Sequence, residues 1–438
     1  MRSVGSQQRA KLKAEHRRRE KIRAEMPPED SLPIWPEKVE GGRLVRQLER
    51  CVEQLRDGNP HGNQELFFDD VFLAYLLAFF NPSLRTLRVI EDFSQTKQAQ
   101  RHLSTPRICR STLSDFNKLA DPERLQPIIA ELRGALNRKF AGQWPSDLYG
   151  LMKKVLAVDG TFFSVAADVA WAVGHRNQSA TRHRARVDVQ LDVQTWLPEV
   201  IAIPEPGEGE AHVASQHVKA GAIHIYDRNY GSFELLAAHY ESQEGTWSPR
   251  ADFVLRAKKK HLTFAPIGER TLTPEQHQSK ILLDQVGHLT SSPNIFSSDI
   301  VLREVVFLAD DGEQVRLLTN LLDVPVEVIA ELYRHRWQIE LFFRWLKCYA
   351  HFDHLTSHSR SGVLLNFYVV IVGVLLMYLH TGGRPSKYAF ILLGMVAQSG
   401  GESLEGILPI LRERERQCER DRKSAALRRA RKKAEAKK

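Results

Sequence analysis

The spacing of apolar residues along the chain changes period twice. Leu44, Val45, Leu48, Cys51, Val52 and Leu55 recur at helical intervals between Arg43 and Arg56, until "DGNP" stops them. A second, very apolar helix is predicted over Leu66–Phe80 and ends at Asn81-Pro82. "DPERLQPIIAELRGALNRKF" opens with Asp121 as N-cap and Pro122 at the first helical position. No strand pattern of any strength occurs before about residue 145. At Lys154 the period shortens. "VLAVDG" is a short apolar run closing on Asp159 and a turn-forming Gly160, and "GAIHIYDRNYG" is another, ending at Asp227. Between them "RVDVQLDVQTWLPEVIAIPE" alternates and predicts paired strands, and Asp311-Gly312 marks a later hairpin turn. Helix returns at Val326, behind Pro325. The run Val363–Leu379 approaches the length of a membrane span, but Asn366 and Gly373 interrupt it and it stands alone, which favours a buried helix.

Helices, then strands, then helices around one strand-rich stretch predict an α/β (α+β) catalytic core. The expected divisions are a basic arm (1–30), a helical DNA-binding region (31–148), a first core segment (149–250), a strand-rich insertion (251–325), a second core segment carrying the catalytic helix (326–400) and a basic tail (401–438).

Charge sharpens this picture. Met1–Met26 carries nine Lys/Arg against three Glu, and Leu411–Lys438 carries thirteen against five Asp/Glu, so of the net +9 the body between them holds −5. A mildly acidic body with two basic arms suits a polyphosphate partner, because neutralised phosphates release counterions; solvated tails are the alternative. Four scattered cysteines without a Cys-x-x-Cys pair argue against a disulfide framework or a zinc ribbon, and fit a reducing compartment. The polar, basic N-terminus does not read as a signal peptide.

The candidate chemistry centres on "ELYRHRWQIELFFRWLK". Counted as one helix, Tyr333, Arg336, Glu340 and Lys347 fall within roughly 60° of one face, a polar stripe of one phenol, two cations and one acid. An Arg336–Glu340 ion pair at i, i+4 would explain the glutamate without function. Asp159 and Asp227 change the balance, since each closes an apolar run where a strand presents a side chain at a sheet end; a turn or capping aspartate is the alternative. Three acids with no histidine or cysteine would make an oxygen-only cage suited to magnesium or manganese, and paired metals clamp both oxygens of an in-line phosphoryl displacement.

"YRHRWQIELFFRWLK" resembles the Tyr-x-x-Arg-x-x-x-Glu-x-x-x-x-x-x-Lys signature of bacterial insertion-sequence transposases of the insertion-sequence-four type. "VDG" at Asp159 and "YDRNYG" at Asp227 look like that family's first and second acid motifs, in the same order, with Asn229 where glycine is usual. The resemblance covers roughly Lys154–Leu379. It implies a ribonuclease-H-like core with a metal-binding Asp159–Asp227–Glu340 triad and two Mg2+ or Mn2+ ions. It also implies that Tyr333, Arg336, Lys347, Arg228 and Tyr230 contact DNA. The activity implied is cut-and-paste transposition: cleavage at terminal inverted repeats, strand transfer into target DNA, and a homodimer pairing two ends in the bacterial cytoplasm, at the nucleoid when DNA-bound. No membrane partner is expected. Some relatives flip a base, and Trp247 is the residue in the inserted strands that could stack one; a core role is the alternative. A repurposed DNA-binding protein and a nuclease without strand transfer are the rival functions.

Three lesser signals stand outside the motif. His351, His354 and His358 with Asp353 could hold a metal, though a loop is the simpler reading. "RAKKKHL" (256–262) and "SATRHRARVD" (179–188) are basic runs that would face DNA or solvent.

Overall fold

The computed structural model describes residues 52, 55–56 and 66–381, less 81–83, 85, 96–102, 104, 140–149, 152, 165–172, 178–179, 206, 244–245, 259–261, 291–295, 298, 310, 349–356 and 358, with nine further positions between 413 and 428. The basic arm, nearly all of the tail, Lys259–His261 and the His351/Asp353/His354/His358 group therefore lie outside the described residues. The first helices are α1 (Phe68–Phe80), α2 (Leu87–Ser94), α3 (Arg110–Leu119) and α4 (Gln126–Lys139). Then come β1 (Val155–Ser164), β2 (Val173–Asn177), β3 (Ala180–Asp192), β4 (Pro198–Ala202), α5 (Glu210–Gln216), β5 (Ile223–Tyr226) and α6 (Phe233–Ala237). Strands β6 (Tyr240–Gln243), β7 (Thr246–Pro249), β8 (Asp252–Arg256) and β9 (Phe264–Glu269) precede α7 (Pro274–Gln278). The remainder is β10 (Ile281–Leu289), β11 (Leu302–Leu308), β12 (Gln314–Thr319), α8 (Val326–Arg334), α9 (Trp337–Cys348) and α10 (Arg360–Thr381).

Two compact units result, one of residues 1–140 with 345–438 and one of residues 141–344. In the first, α10 packs on α1, α3 and α4. Its apolar residues face inward on all sides, with 89% of its span-length window buried inside the protein, so it is a core helix by surroundings as well as composition. The two residues that interrupt it have packing reasons. Asn366 turns its amide back to the Gly362 carbonyl (2.6 Å), and a Cβ on Gly373 would sit 2.3 Å from the Phe79 ring, so glycine lets α1 and α10 approach. Asp121 caps the 3-10 turn Pro122–Leu125 that leads into α4, accepting from Glu123 N at 3.1 Å. The expected second core segment (326–400) contains α10, whose contacts here are with α1, α3 and α4, a choice of partner that its all-round apolar surface does not announce.

The second unit is built on one ten-stranded sheet in the order β2-β3-β1-β5-β8-β12-β11-β10-β9, with β4 also on β3. Strands β1 and β3 are antiparallel, as are β3 and β4, while β5 and β8 run parallel to β1. The β3–β4 hairpin turns through Asp192, whose Oδ1 accepts from Gln194 N (2.9 Å), and Trp196 at φ 64°. The expected β11–β12 hairpin forms with Gly312 at φ 85°. The strand-rich stretch 251–325 shares one sheet with the strands before it: β8 pairs with β5 and β12 with β8, so β9–β12 extend the same sheet. Backbone pairing is indifferent to which segment supplied it, and only the three-dimensional register reveals the join.

Candidate active site

Strand register brings the first two acids together. The parallel β1–β5 pairing ends at Val158↔Tyr226, so Asp159 and Asp227 each follow the last paired position of neighbouring strands. Val158 and Tyr226 share one buried core cluster, and side chains alternate along a strand, so both aspartates project to the opposite face of the sheet. Asp227 then starts the 3-10 turn Arg228–Tyr230. Asp159, by contrast, does not close its strand: β1 runs on to Ser164, paired with β3 throughout. Gly160 is accordingly not a turn residue. It is a strand glycine because a Cβ there would lie 2.5 Å from Asp188 Oδ1 and 3.1 Å from Glu210 Oε1.

The third acid arrives from α9. Arg336 Nη2 donates to Glu340 Oε1 at 2.5 Å, and its Nη1 lies 3.7 Å from Asp159 Oδ2, so one guanidinium ties the helix acid to the strand acid. The guanidinium carbon also sits 5.9 Å from the Tyr333 ring centroid. The single helix expected over Tyr333–Lys347 is two. Between α8 and α9 the backbone tightens, with Arg336 N bonding Tyr333 O and Gln338 N bonding His335 O, and no proline or glycine announces the break.

Burial dominates the electrostatics. It pushes Asp159 up to about 7, against the Gly160 N–H (2.9 Å) and Arg336, with Glu210 and Asp227 adding to the rise. Burial also raises Asp188 to about 6, partly offset by Arg186, whose guanidinium lies 3.0 Å from it. Burial works against the charge on Arg336, yet Tyr333, Glu340 and Asp227 outweigh it and hold its pKa above the ordinary value. The Tyr333 phenol is raised, chiefly by burial.

Of the remaining sequence-predicted residues, Arg228 is exposed and Lys347 lies half-buried on α9. Tyr333 is buried beside Arg256, and Tyr230 is buried with its ring 5.5 Å from Tyr226. Trp247 packs its ring against Tyr240 and Phe296. Asn229 does not take a left-handed backbone, so it replaces the usual glycine without strain. Sequence reasoning missed Asp188, Glu210 and Arg186, and it also missed Trp337, whose ring is half exposed on α9 with Arg344 6.0 Å away. A signal existed for Asp188. Its strand alternates, but both faces are buried, the polar one carrying Asp188, Gln190 and Asp192.

Donor chemistry fits a hard divalent cation, since every candidate ligand is a carboxylate oxygen. Among the described residues no group of three or more His, Cys, Asp or Glu is already arranged to hold a metal.

Residues 150–376, more than half of the chain, match the family model described as the transposase DDE domain. The chain belongs to the DDE transposase family. A Sinorhizobium fredii protein named as a transposase, y4zB, is 24% identical over 263 residues, covering 59% of this chain and 69% of its own. A Geobacillus stearothermophilus protein named as a transposase for insertion sequence element IS5377 is 23% identical over 286 residues, covering 62% and 67%. Among solved structures, the piggyBac transposase synaptic complex with hairpin DNA aligns with 86% of this chain and 82% of its own at 10% identity and a TM-score of 0.39. As a DDE transposase the chain catalyses DNA cleavage and strand transfer, and this family uses divalent metal ions.

Proposed function

We propose that this transposase is of the insertion-sequence-four type and performs cut-and-paste transposition with Asp159, Asp227 and Glu340 as its catalytic acids. The observation that supports the reading is that Asp159 and Asp227 each follow the last paired position of neighbouring strands, and that one guanidinium, Arg336, lies against both Asp159 and Glu340. The order β4-β3-β1-β5-β8, antiparallel through β1 and parallel beyond it, supports a ribonuclease-H-like core.

Bound at these acids, two magnesium or manganese ions supply Lewis-acid activation at the attacking and leaving oxygens. The chain's own residues do the rest. Burial raises the Asp159 pKa to about 7, and nearby positive charge would favour its ionised form. Arg336 orients Glu340 and carries further donors for a non-bridging phosphate oxygen. Arg256 adds a cation beside Tyr333, and the half-exposed Trp337 presents a flat apolar face for DNA. Substrates are terminal inverted repeats and then target DNA, with two ends paired by a homodimer in the cytoplasm.

The test is a labelled fragment carrying the gene's own flanking termini, incubated with Mg2+ or Mn2+ and wild-type, Asp159→Ala or Glu340→Gln protein. Metal-dependent cutting at the element boundary, lost in both variants, is expected. Specific binding without cutting in either metal refutes the reading and leaves a DNA-binding protein.

A further inference from the structure

The acids near β1 outnumber the triad. On the face of the sheet opposite Asp159, the residues paired or aligned with Gly160 and Val158 are Asp188 and Gln190 of β3, roofed by α5. A cleft there is lined by Val158, Asp188, Gln190, Glu210 and Tyr230 among others. Glu210 Oε1 reaches within 3.1 Å of where a Gly160 Cβ would be. Beyond Val158 the β5 side of β1 has no paired strand, because β5 stops at Tyr226. Gly160 has no Cβ and no β5 residue paired beside it, and the Glu210 charge is felt at Asp159.

Tyr230 points to the same place independently. Its hydroxyl is fully buried, has no hydrogen-bond partner, and is surrounded by the charges of Asp159, Glu210 and Asp188. Gln190 Oε1 in the same cleft is also without a partner. A buried donor and a buried acceptor left unpaired beside carboxylates cost stability unless something polar bridges them. The cleft is mainly apolar, and the polar groups that a bridging water could join there are Asp188, Gln190, Glu210, His217 and Tyr230.

We propose that Glu210 is a fourth acid of the active site, a positioning residue that, with the Tyr230 hydroxyl, faces Asp159 across Gly160 and holds the water of a divalent cation bound there. It acts through water, as an outer support of the ligand set, and Tyr230 serves that support instead of touching DNA. The inference rests on Asp159 being a metal-binding acid.

Mn2+ is titrated into the full-length wild type, Glu210→Gln, Glu210→Asp, Tyr230→Phe and Asp159→Ala proteins, with free Mn2+ read by electron paramagnetic resonance and folding by thermal melting. Expected is about tenfold weaker Mn2+ binding in Glu210→Gln, the size typical for outer-shell partners of a metal site. Glu210→Asp recovers part of that loss, Tyr230→Phe loses less, and no variant melts earlier. Wild-type Mn2+ affinity in Glu210→Gln, while Asp159→Ala has lost it, overturns the role of Glu210 and leaves the triad standing. Wild-type affinity in Asp159→Ala overturns both readings. Equal losses in Glu210→Gln and Glu210→Asp, each with early melting, reduce Glu210 to a structural residue.

Discussion

Two arginines, Arg303 within the antiparallel half of the large sheet and the partly buried Arg336 between α8 and α9, face carboxylates under opposite conditions. In the antiparallel half, Arg303 of β11 is 2% exposed and makes a two-pronged pair with Asp284 (both bonds 2.7 Å). Its remaining Nη1 donates to the carbonyls of Leu321, Leu322 and Val324. Each of its three guanidinium nitrogens thus donates to a partner. Beside the parallel half, Arg336 stands among Asp159, Asp227 and Glu340, while Arg186 pairs Asp188 beside Glu210. Acids outnumber arginines there, and burial lifts Asp159 and Asp188 far above the usual carboxylate range. A saturated polar network fixes a structure, whereas an acid excess held in place by the fold is poised to accept positive charge.

The comparison can be broken most sharply at Glu340 and Asp159. Glu340→Gln and Asp159→Asn are each expected to lower end cleavage by about 10³-fold or more, as for members of a cooperating catalytic set. Residual cutting within tenfold of wild type would place the chemistry elsewhere. Next in size, Arg303→Met strands Asp284 without its partner and is expected to cost roughly 3–5 kcal/mol of stability, read by denaturant unfolding. A loss under 1 kcal/mol would mean the antiparallel half is not saturated as described.

Asp159→Asn should move stability the other way. With the folded pKa raised to about 7, the fold favours the protonated carboxyl, so above pH 7 the ionised form opposes folding and Asn, which mimics the neutral form, relieves it. A gain of about 1–3 kcal/mol at pH 8 is expected, with the gain shrinking as pH falls toward 4. A loss at pH 8 would remove the contrast. The smallest effect is protonic: at pH 6.5 Mn2+ binding should release about one proton, fewer at pH 8.5, measured by titration calorimetry in buffers of different ionisation enthalpy. Release that does not change with pH would dissociate Asp159 from the metal.

Much of the fold was legible because its signals are local. The capped start at Asp121-Pro122, the Asp311-Gly312 hairpin, the β3–β4 alternation and the apolar α10 all formed where periodicity and turn chemistry put them. Asp159, Asp227 and Glu340 could be proposed as the acids because a spaced motif survives in one dimension. The break at His335–Arg336 was not legible, since it lies in a 3-10 tightening that any sequence can adopt.

The sequence by itself determined the change from helix to strand and back and many of the elements, and it supplied the three acids proposed for catalysis in their order. Only the tertiary structure decided that β9–β12 continue the catalytic sheet and that α10 belongs with the helices before residue 140. It also decided that Asp188, Glu210 and Tyr230 gather behind Gly160. Local propensity is written in neighbouring residues, whereas burial and charge density depend on which strands end where. Here β5 stops one residue short of Asp227 and β1 does not stop at Asp159, and the extra acids collect beside that mismatch.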